Sequence, residues 1–178
     1  MKIDEGKIKI AIFGGSGYSG SELLRILLFH PSAEIVSVTA HANAGKKICA
    51  VHNNLNGLTD LRFEQAPVDA STFSDVDVVF FALPHGQALN LIPNLPKQVK
   101  AIDLSADFRI DDASIFNHFY KLEHAGDLQN SFVYGLTETN RESIKSAKYI
   151  ANPGCFATAT LLALAPMVKS GLLTGKVV

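Results

Sequence analysis

Ile8-Lys9-Ile10-Ala11-Ile12-Phe13-Gly14-Gly15-Ser16-Gly17-Tyr18-Ser19-Gly20-Ser21-Glu22-Leu23 decides how the rest of the chain is read. The β-branched run at 8–13 stops on glycines, as a strand buried on both faces does. Leu23, Leu24, Ile26, Leu27 and Leu28 then recur at helical spacing until His30-Pro31, where proline disfavours helix at the residue before it. Between strand and helix, Gly14, Gly17 and Gly20 give G-x-x-G-x-x-G, a spacing variant of the dinucleotide fingerprint. Glycine lets the backbone turn tightly and approach a pyrophosphate, and the start of the helix offers free N–H groups to the anion.

Outward from this turn the pattern repeats. Residues 34–39, 76–82, 99–103 and 148–151 read as further strands, and 112–120 and 156–170 as helices. Asp111 or Asp112 is the expected cap of the first of these helices, and Gly171 ends the second. Residues 87–92 form at most a helical turn or two, 132–136 is ambiguous, and 51–69 reads as loop with one short element at most. Lys176-Val177-Val178 looks like another strand beginning. Strands alternating with helices predict an α/β fold: a Rossmann-like, doubly wound, mainly parallel sheet.

Composition narrows the class. Of 178 residues, 47% are hydrophobic and 19% charged, which excludes intrinsic disorder. With 16 basic against 17 acidic residues, the chain has no electrostatic footprint for nucleic acid or an anionic membrane surface. The longest apolar stretch, 160–168, is far below the ~20 residues a membrane span needs, and no targeting signal is read at the start. Cys49 and Cys155 are too few for a disulfide scaffold and suggest a reducing compartment. The expectation is a soluble, cytoplasmic protein. His30, His41, His52, His85, His118 and His124 show no i, i+4 pair, so no metal site is expected.

The end of the second strand bears on which dinucleotide fits. NAD-binding domains usually carry an acid there to hold the ribose 2′-OH. Glu34 opens that strand instead and would lie roughly 15 Å or more from the ribose. The strand ends on Thr39-Ala40-His41 with no acid, and Asn43, Lys46 and Lys47 follow. This favours a 2′-phosphate and hence NADP(H).

Asn152-Pro153-Gly154-Cys155-Phe156-Ala157-Thr158 puts a cysteine where a strand has ended and a helix begins. The helix dipole and free N–H groups there favour thiolate over thiol and could hold an oxyanion on a carbonyl the sulfur attacks. The position is also the sheet edge where ligands bind in such folds. The competing reading is a buried, inert cysteine, and for Cys49, in a poorly patterned region, that reading is preferred. A dinucleotide fold with an activated cysteine points to hydride transfer through a thioester.

These segments together resemble N-acetyl-γ-glutamyl-phosphate reductase. The matches are 14–23, Ala44-Gly45-Lys46-Lys47, Leu83-Pro84-His85-Gly86, Asp103-Leu104-Ser105-Ala106-Asp107-Phe108-Arg109, Tyr134-Gly135-Leu136-Thr137-Glu138 and, most specific, Asn152 through Ala159. The resemblance implies reduction of N-acetylglutamyl γ-phosphate by NADPH to the γ-semialdehyde and phosphate, in arginine biosynthesis. It implies Cys155 as nucleophile, Gly14 with Ser16, Gly17, Tyr18, Ser19 and Gly20 around the pyrophosphate, and Leu83-Pro84 beside the cofactor. Members often carry Ser-Arg near 40 and 41. This chain has Ala40-His41, so His41 or a lysine would have to meet the 2′-phosphate. Ser105, Arg109 and Asn152 are candidate substrate contacts, with bracing of a local loop as the other reading of the first two.

In this family the catalytic base is a histidine well beyond the cysteine helix. The expected division is therefore an NADP-binding domain at 1–151 and the start of a substrate domain at 152–178. The substrate half and a homo-oligomer interface would follow, and apolar surface is expected to stand exposed on 156–173. Residues 1–178 alone are expected to bind NADP weakly at best and to turn over poorly or not at all. His85 is read as a loop histidine near the cofactor. Alternatives are a sister semialdehyde dehydrogenase, of the carrier-bound lysine-pathway or aspartate-semialdehyde type, or a non-catalytic NADP-binding module.

Overall fold

The computed structural model describes residues 6–67, 70–173 and 175. Six strands form one sheet: β1 (Ile8–Phe13), β2 (Ala33–Thr39), β3 (Val78–Phe81), β4 (Lys100–Asp103), β5 (Phe132–Tyr134) and β6 (Tyr149–Ala151). Their order is β2-β1-β3-β4-β6-β5, and every neighbouring pair is parallel. Helices α1 (Tyr18–Leu27), α2 (Ile48–Val51), α3 (Ala113–Tyr120), α4 (Thr137–Ser146) and α5 (Cys155–Lys169) lie between and after the strands. The expected Rossmann-like α/β architecture is what the chain adopts.

β1 shows why it is the centre. Its residues alternate between two cores: Ala11 and Phe13 face one, Ile10 and Ile12 the other. The first core is filled by Phe13 stacked on Phe81 and edge-on to Phe73, both at 5.1 Å between ring centres. The second holds Leu24 of α1 with Val38, Ile48, Leu55 and Phe63. Residues 51–67 are thus more ordered than the loop with at most one short element expected for 51–69, of which 68 and 69 lie outside the described residues. A 3₁₀ turn at Asn53–Leu55 and bridges Thr39↔Glu64 and Lys47↔Arg62 fold the stretch over the sheet so that Leu55 and Phe63 are buried.

The helix expected at 112–120 is capped by Asp112, whose carboxylate accepts from the amides of Ser114 and Ile115 at 2.8 and 3.0 Å. α5 begins one residue earlier than expected, at Cys155, and Gly171 adopts a left-handed φ of 74° just past its end. None of its residues is buried, and Phe156, Leu161, Leu162, Met167 and Val168 stand exposed, as does Leu172 beyond it. The strand expected at 176–178 lies outside the described residues. No described helix is long and apolar enough to cross a membrane.

The sheet order fixes where a ligand can sit. β1 is flanked by β2 on one side and β3 on the other, so the connections leave its C-terminal edge in opposite directions. Such a switch point opens a crevice at the ends of the strands. The turn after β1 and the Leu83-Pro84 segment after β3 face each other there.

Candidate active site

A cleft of about 470 Å³ occupies the switch point, bordered by Gly14, Ser16, Gly17, Thr39, His41, Leu83 and Pro84 among others. Gly14 has φ 78°, and a Cβ there would stand 2.3 Å from the Ala82 carbonyl oxygen. The turn can therefore lie against β3 only without a side chain. The Gly15 amide donates to the Thr39 carbonyl at 2.9 Å, tying the turn to the end of β2. α1 starts with Gly17 as its cap and no side chain bonded to its first amides. The first bond inside it runs from Ser21 to Gly17, at 2.9 Å, so the amides of Tyr18, Ser19 and Gly20 have no intrahelical acceptor.

These features fit a dinucleotide. A Cβ at Gly17 would meet only the Gly14 carbonyl, at 3.8 Å, so the space beside it is open. Thr39 is buried, and its Oγ1 has no hydrogen-bond partner among the described residues although it borders the cleft. Among the described residues no carboxylate borders the cleft, and of the polar groups expected to favour a 2′-phosphate only His41 does. Lys46 turns to the Asn43 side chain at 3.0 Å and Lys47 to Asp60 at 3.0 Å. Glu64, bridged to Thr39 at the end of β2, accepts from Ser37 Oγ, back along that strand. Tyr18 is 97% exposed and borders the neighbouring hollow beside His52 rather than this cleft.

A second hollow, about 640 Å³, surrounds Cys155. Ser19 of α1, His85, Arg109, Asn152 and Thr158 share its wall with the cysteine. Cys155 is exposed and is the first residue of α5. Thr158 makes the first helical bond, to Gly154 at 2.9 Å, which leaves the amides of Cys155, Phe156 and Ala157 without intrahelical acceptors. Cys155 is thus not buried, in contrast to the competing expectation of a buried cysteine. Cys49 is half-buried and borders neither cavity.

Arg109 is held rigidly. Its Nε donates to the Asn152 carbonyl at 2.8 Å and its Nη2 to the Leu104 carbonyl at 2.6 Å. A Cβ on Gly154 would stand 3.0 Å from its Nη1, so glycine at 154 makes room for the guanidinium beside Cys155. Asn152 is fixed in turn: its amide donates to the Asp103 carbonyl at 2.8 Å and its side-chain nitrogen to the Pro153 carbonyl at 3.1 Å.

Ser105 borders neither cavity. It is buried, donating to Asp103 Oδ2 at 2.5 Å and accepting from the Asp107 amide at 3.1 Å. Those bonds brace the 103–109 loop. Asp107, which the sequence did not single out, takes the Gly86 amide with both carboxylate oxygens at 2.8 Å. His85 Nδ1 accepts from the Ala106 amide at 2.9 Å, which leaves its other ring nitrogen to carry the proton when the ring is neutral. The 84–86 turn is thereby clamped to the loop that carries Arg109. No local pattern signals Asp107, because its partner lies 21 residues away.

Asp103 is the electrostatic oddity of the site. It is buried at the end of β4, and its Oδ1 finds no hydrogen-bond partner among the described residues. Burial pushes its carboxyl up to about 6, against the pull of Ser105's hydrogen bonds and with a further push from the Asp107 charge. The folded state thus holds this proton more tightly than the unfolded chain does. The resulting stabilisation is complete below about pH 4 and is lost as pH rises through about 6, a difference of up to about 3 kcal/mol. Asp103→Asn is expected to flatten the fall in stability between pH 4 and 7, measured by urea unfolding across that range. An unchanged pH profile would contradict the assignment. Among the described residues no group of three or more His, Cys, Asp or Glu could hold a metal ion.

A family model described as semialdehyde dehydrogenase, NAD binding domain, matches residues 9–147. The chain is 46% identical over 166 residues to the [LysW]-L-2-aminoadipate/[LysW]-L-glutamate phosphate reductase of Saccharolobus solfataricus, covering 92% of this chain and 47% of that protein. It is 48% identical over 165 residues to the N-acetyl-gamma-glutamyl-phosphate reductase of Acinetobacter baumannii, again 92% of this chain and 47% of that one. The chain spans about half the length of the curated relatives it matches. Among solved structures it resembles aspartate semialdehyde dehydrogenase with NADP from Candida albicans, at a TM-score of 0.59 and 16% identity over 93% of this chain and 48% of that one. That likeness concerns the fold.

Proposed function

This chain belongs to the semialdehyde dehydrogenase family through its NAD-binding domain, and we propose that it is the cofactor-binding and nucleophile-bearing part of an NADPH-dependent acyl-phosphate reductase. The substrate we assign is N-acetylglutamyl γ-phosphate, reduced to the γ-semialdehyde with release of phosphate. The observation that carries the reading is the shared hollow: the glycine turn, through Ser19, and the cysteine helix, through Cys155, open onto one space that Arg109 also lines.

The chemistry this chain supplies follows from that geometry. Cys155 Sγ attacks the acyl carbon, and the oxygen that gains charge is met by the free amides at the start of α5. The acyl–phosphate bond breaks, and the departing phosphate is met by Arg109, whose other guanidinium nitrogens are pinned to backbone carbonyls. The product on the protein is a thioester at Cys155. Gly14, Ser16, Gly17 and the first amides of α1 would hold the pyrophosphate of the cofactor, His41 the 2′-phosphate, and Leu83-Pro84 would border the dinucleotide. When bound, the nicotinamide supplies the hydride. The division we propose, 1–151 for the cofactor and 152 onward for the substrate side, places the boundary between the last sheet strand, β6, and the cysteine.

The reverse reaction tests the reading. Phosphate-dependent NADP reduction with N-acetylglutamate semialdehyde supports it, in this chain supplied with the substrate half of the enzyme. Reduction only with a carrier-linked semialdehyde would move the substrate to the class named for the Saccharolobus relative. NADP binding without turnover in any form would leave a nucleotide-binding module. His41→Ala is expected to weaken NADPH by about tenfold while leaving NADH unchanged, measured by titration calorimetry. Equal losses for both would remove His41 from 2′-phosphate recognition.

A further inference from the structure

We propose that His52 is a positioning residue for the pyrophosphate cradle, an inference that rests on the assignment of the cleft to NADP(H). His52 follows α2 and is buried, with its ring edge-on to Phe63 at 5.8 Å between ring centres. Its Nε2 lies 2.8 Å from the Gly15 carbonyl oxygen, across 37 residues of sequence. A carbonyl can only accept, so Nε2 carries the proton and donates. The Gly15 backbone is then held at both ends, its amide on the Thr39 carbonyl at 2.9 Å and its carbonyl on His52.

This has a directional consequence. In a trans peptide the C=O and N–H point opposite ways, and no described peptide bond is cis. With the Gly15 carbonyl turned to His52, the Ser16 amide of the same peptide is aimed away from it. Ser16 and Gly17 border two hollows, one shared with His52 and the other the cofactor cleft. The Ser16 amide makes no backbone hydrogen bond among the described residues. His52 thus adds a donor to the amides of Tyr18, Ser19 and Gly20 and keeps the Gly15 carbonyl, a repulsive group for phosphate, out of the cradle. A side chain at Gly15 would strike Val38 Cγ1 at 2.2 Å, so the peptide has no room to be locked by packing of its own side chain.

The test compares His52→Leu with His52→Gln, which keeps an N–H donor. His52→Leu is expected to weaken NADPH by about tenfold or more, as loss of one oriented donor does. The affinity for 2′-AMP, which lacks the pyrophosphate, stays unchanged. His52→Gln recovers most of the NADPH affinity. Equal loss of both ligands in His52→Leu, or full NADPH affinity there, overturns the proposal. Because a buried leucine at this site can unfold the turn, the wild-type chain gives a second arm. Nitrogen-15 spectra of the imidazole should show the Nε2–H form, and the Ser16 amide should shift on NADP titration. An Nδ1–H ring, or a Ser16 amide that ignores bound NADP, also overturns it. A wild-type chain that, supplied with the substrate half of the enzyme, binds no NADP but shows the Nε2–H ring would instead defeat the assignment of the cleft.

Discussion

With the substrate half of the enzyme supplied, Cys155→Ser is expected to abolish acyl transfer, lowering phosphate-dependent NADP reduction by about a thousandfold or more, while NADPH affinity changes by less than about twofold. The two readouts separate because the cysteine and the cofactor cleft are built from different elements. Cys155 sits on α5, which buries none of its residues and contributes nothing to the two cores. The cleft is made by the ends of β1, β2 and β3. A hydroxyl in place of the thiol keeps the helix start and its free amides, so only the nucleophile is lost. A variant that retains more than a tenth of the activity would show that the thioester route is wrong for this protein. A variant that loses NADPH binding as well would show that the two sites are not independent.

Gly20→Ala is expected to have the largest structural effect. Gly20 lies in the first turn of α1, buried, facing back onto the glycine turn. A Cβ there would stand 2.6 Å from the Cα, carbonyl carbon and oxygen of Gly15, closer than real side chains approach backbone. Backbone cannot swing aside as a flexible side chain can. Either α1 lifts from the turn or the turn opens, and opening the turn strains the Gly15–Thr39 hydrogen bond. We expect a loss of about 3 kcal/mol in urea unfolding together with the loss of NADPH binding. Gly17→Ala makes the contrast. Gly17 has an extended backbone at φ −84°, and its nearest obstacle is at 3.8 Å, so stability should change little. The new methyl would fill space beside the cleft, and NADPH affinity should fall without unfolding. Equal stability losses at the two positions would contradict this account of the turn.

Much of this fold was legible because its signals are local. β1 stops at glycines, α1 carries its leucines at helical spacing, and Asp112 caps α3 from its own sequence neighbourhood. α4 was missed for a physical reason. Thr137–Ser146 buries no residue and has Ile144 as its one apolar side chain, so it has no apolar stripe to detect, and Asn140 breaks its regular backbone. β5, three residues at the sheet edge, was ambiguous because it is too short to show an alternation. In the site, the glycine turn and Cys155 were legible from residue type and position. His52, Asp107 and the orphan hydroxyl of Thr39 were not, since each is defined by a partner, or by the lack of one, that only the folded chain brings near. The sequence offered Lys46 and Lys47 as 2′-phosphate partners. In the fold Lys46 lies on Asn43 and Lys47 on Asp60, contacts the sequence pattern did not signal.

The most direct test of the central claim is a covalent one. The chain is incubated with N-acetylglutamyl phosphate in the absence of NADPH and analysed by intact mass and peptide mapping. The thioester route predicts one N-acetylglutamyl group on Cys155, released by hydroxylamine, with inorganic phosphate formed in equal amount and no adduct in Cys155→Ala. No adduct at Cys155 even with the substrate half of the enzyme supplied, or an equal adduct on Cys49, would contradict it.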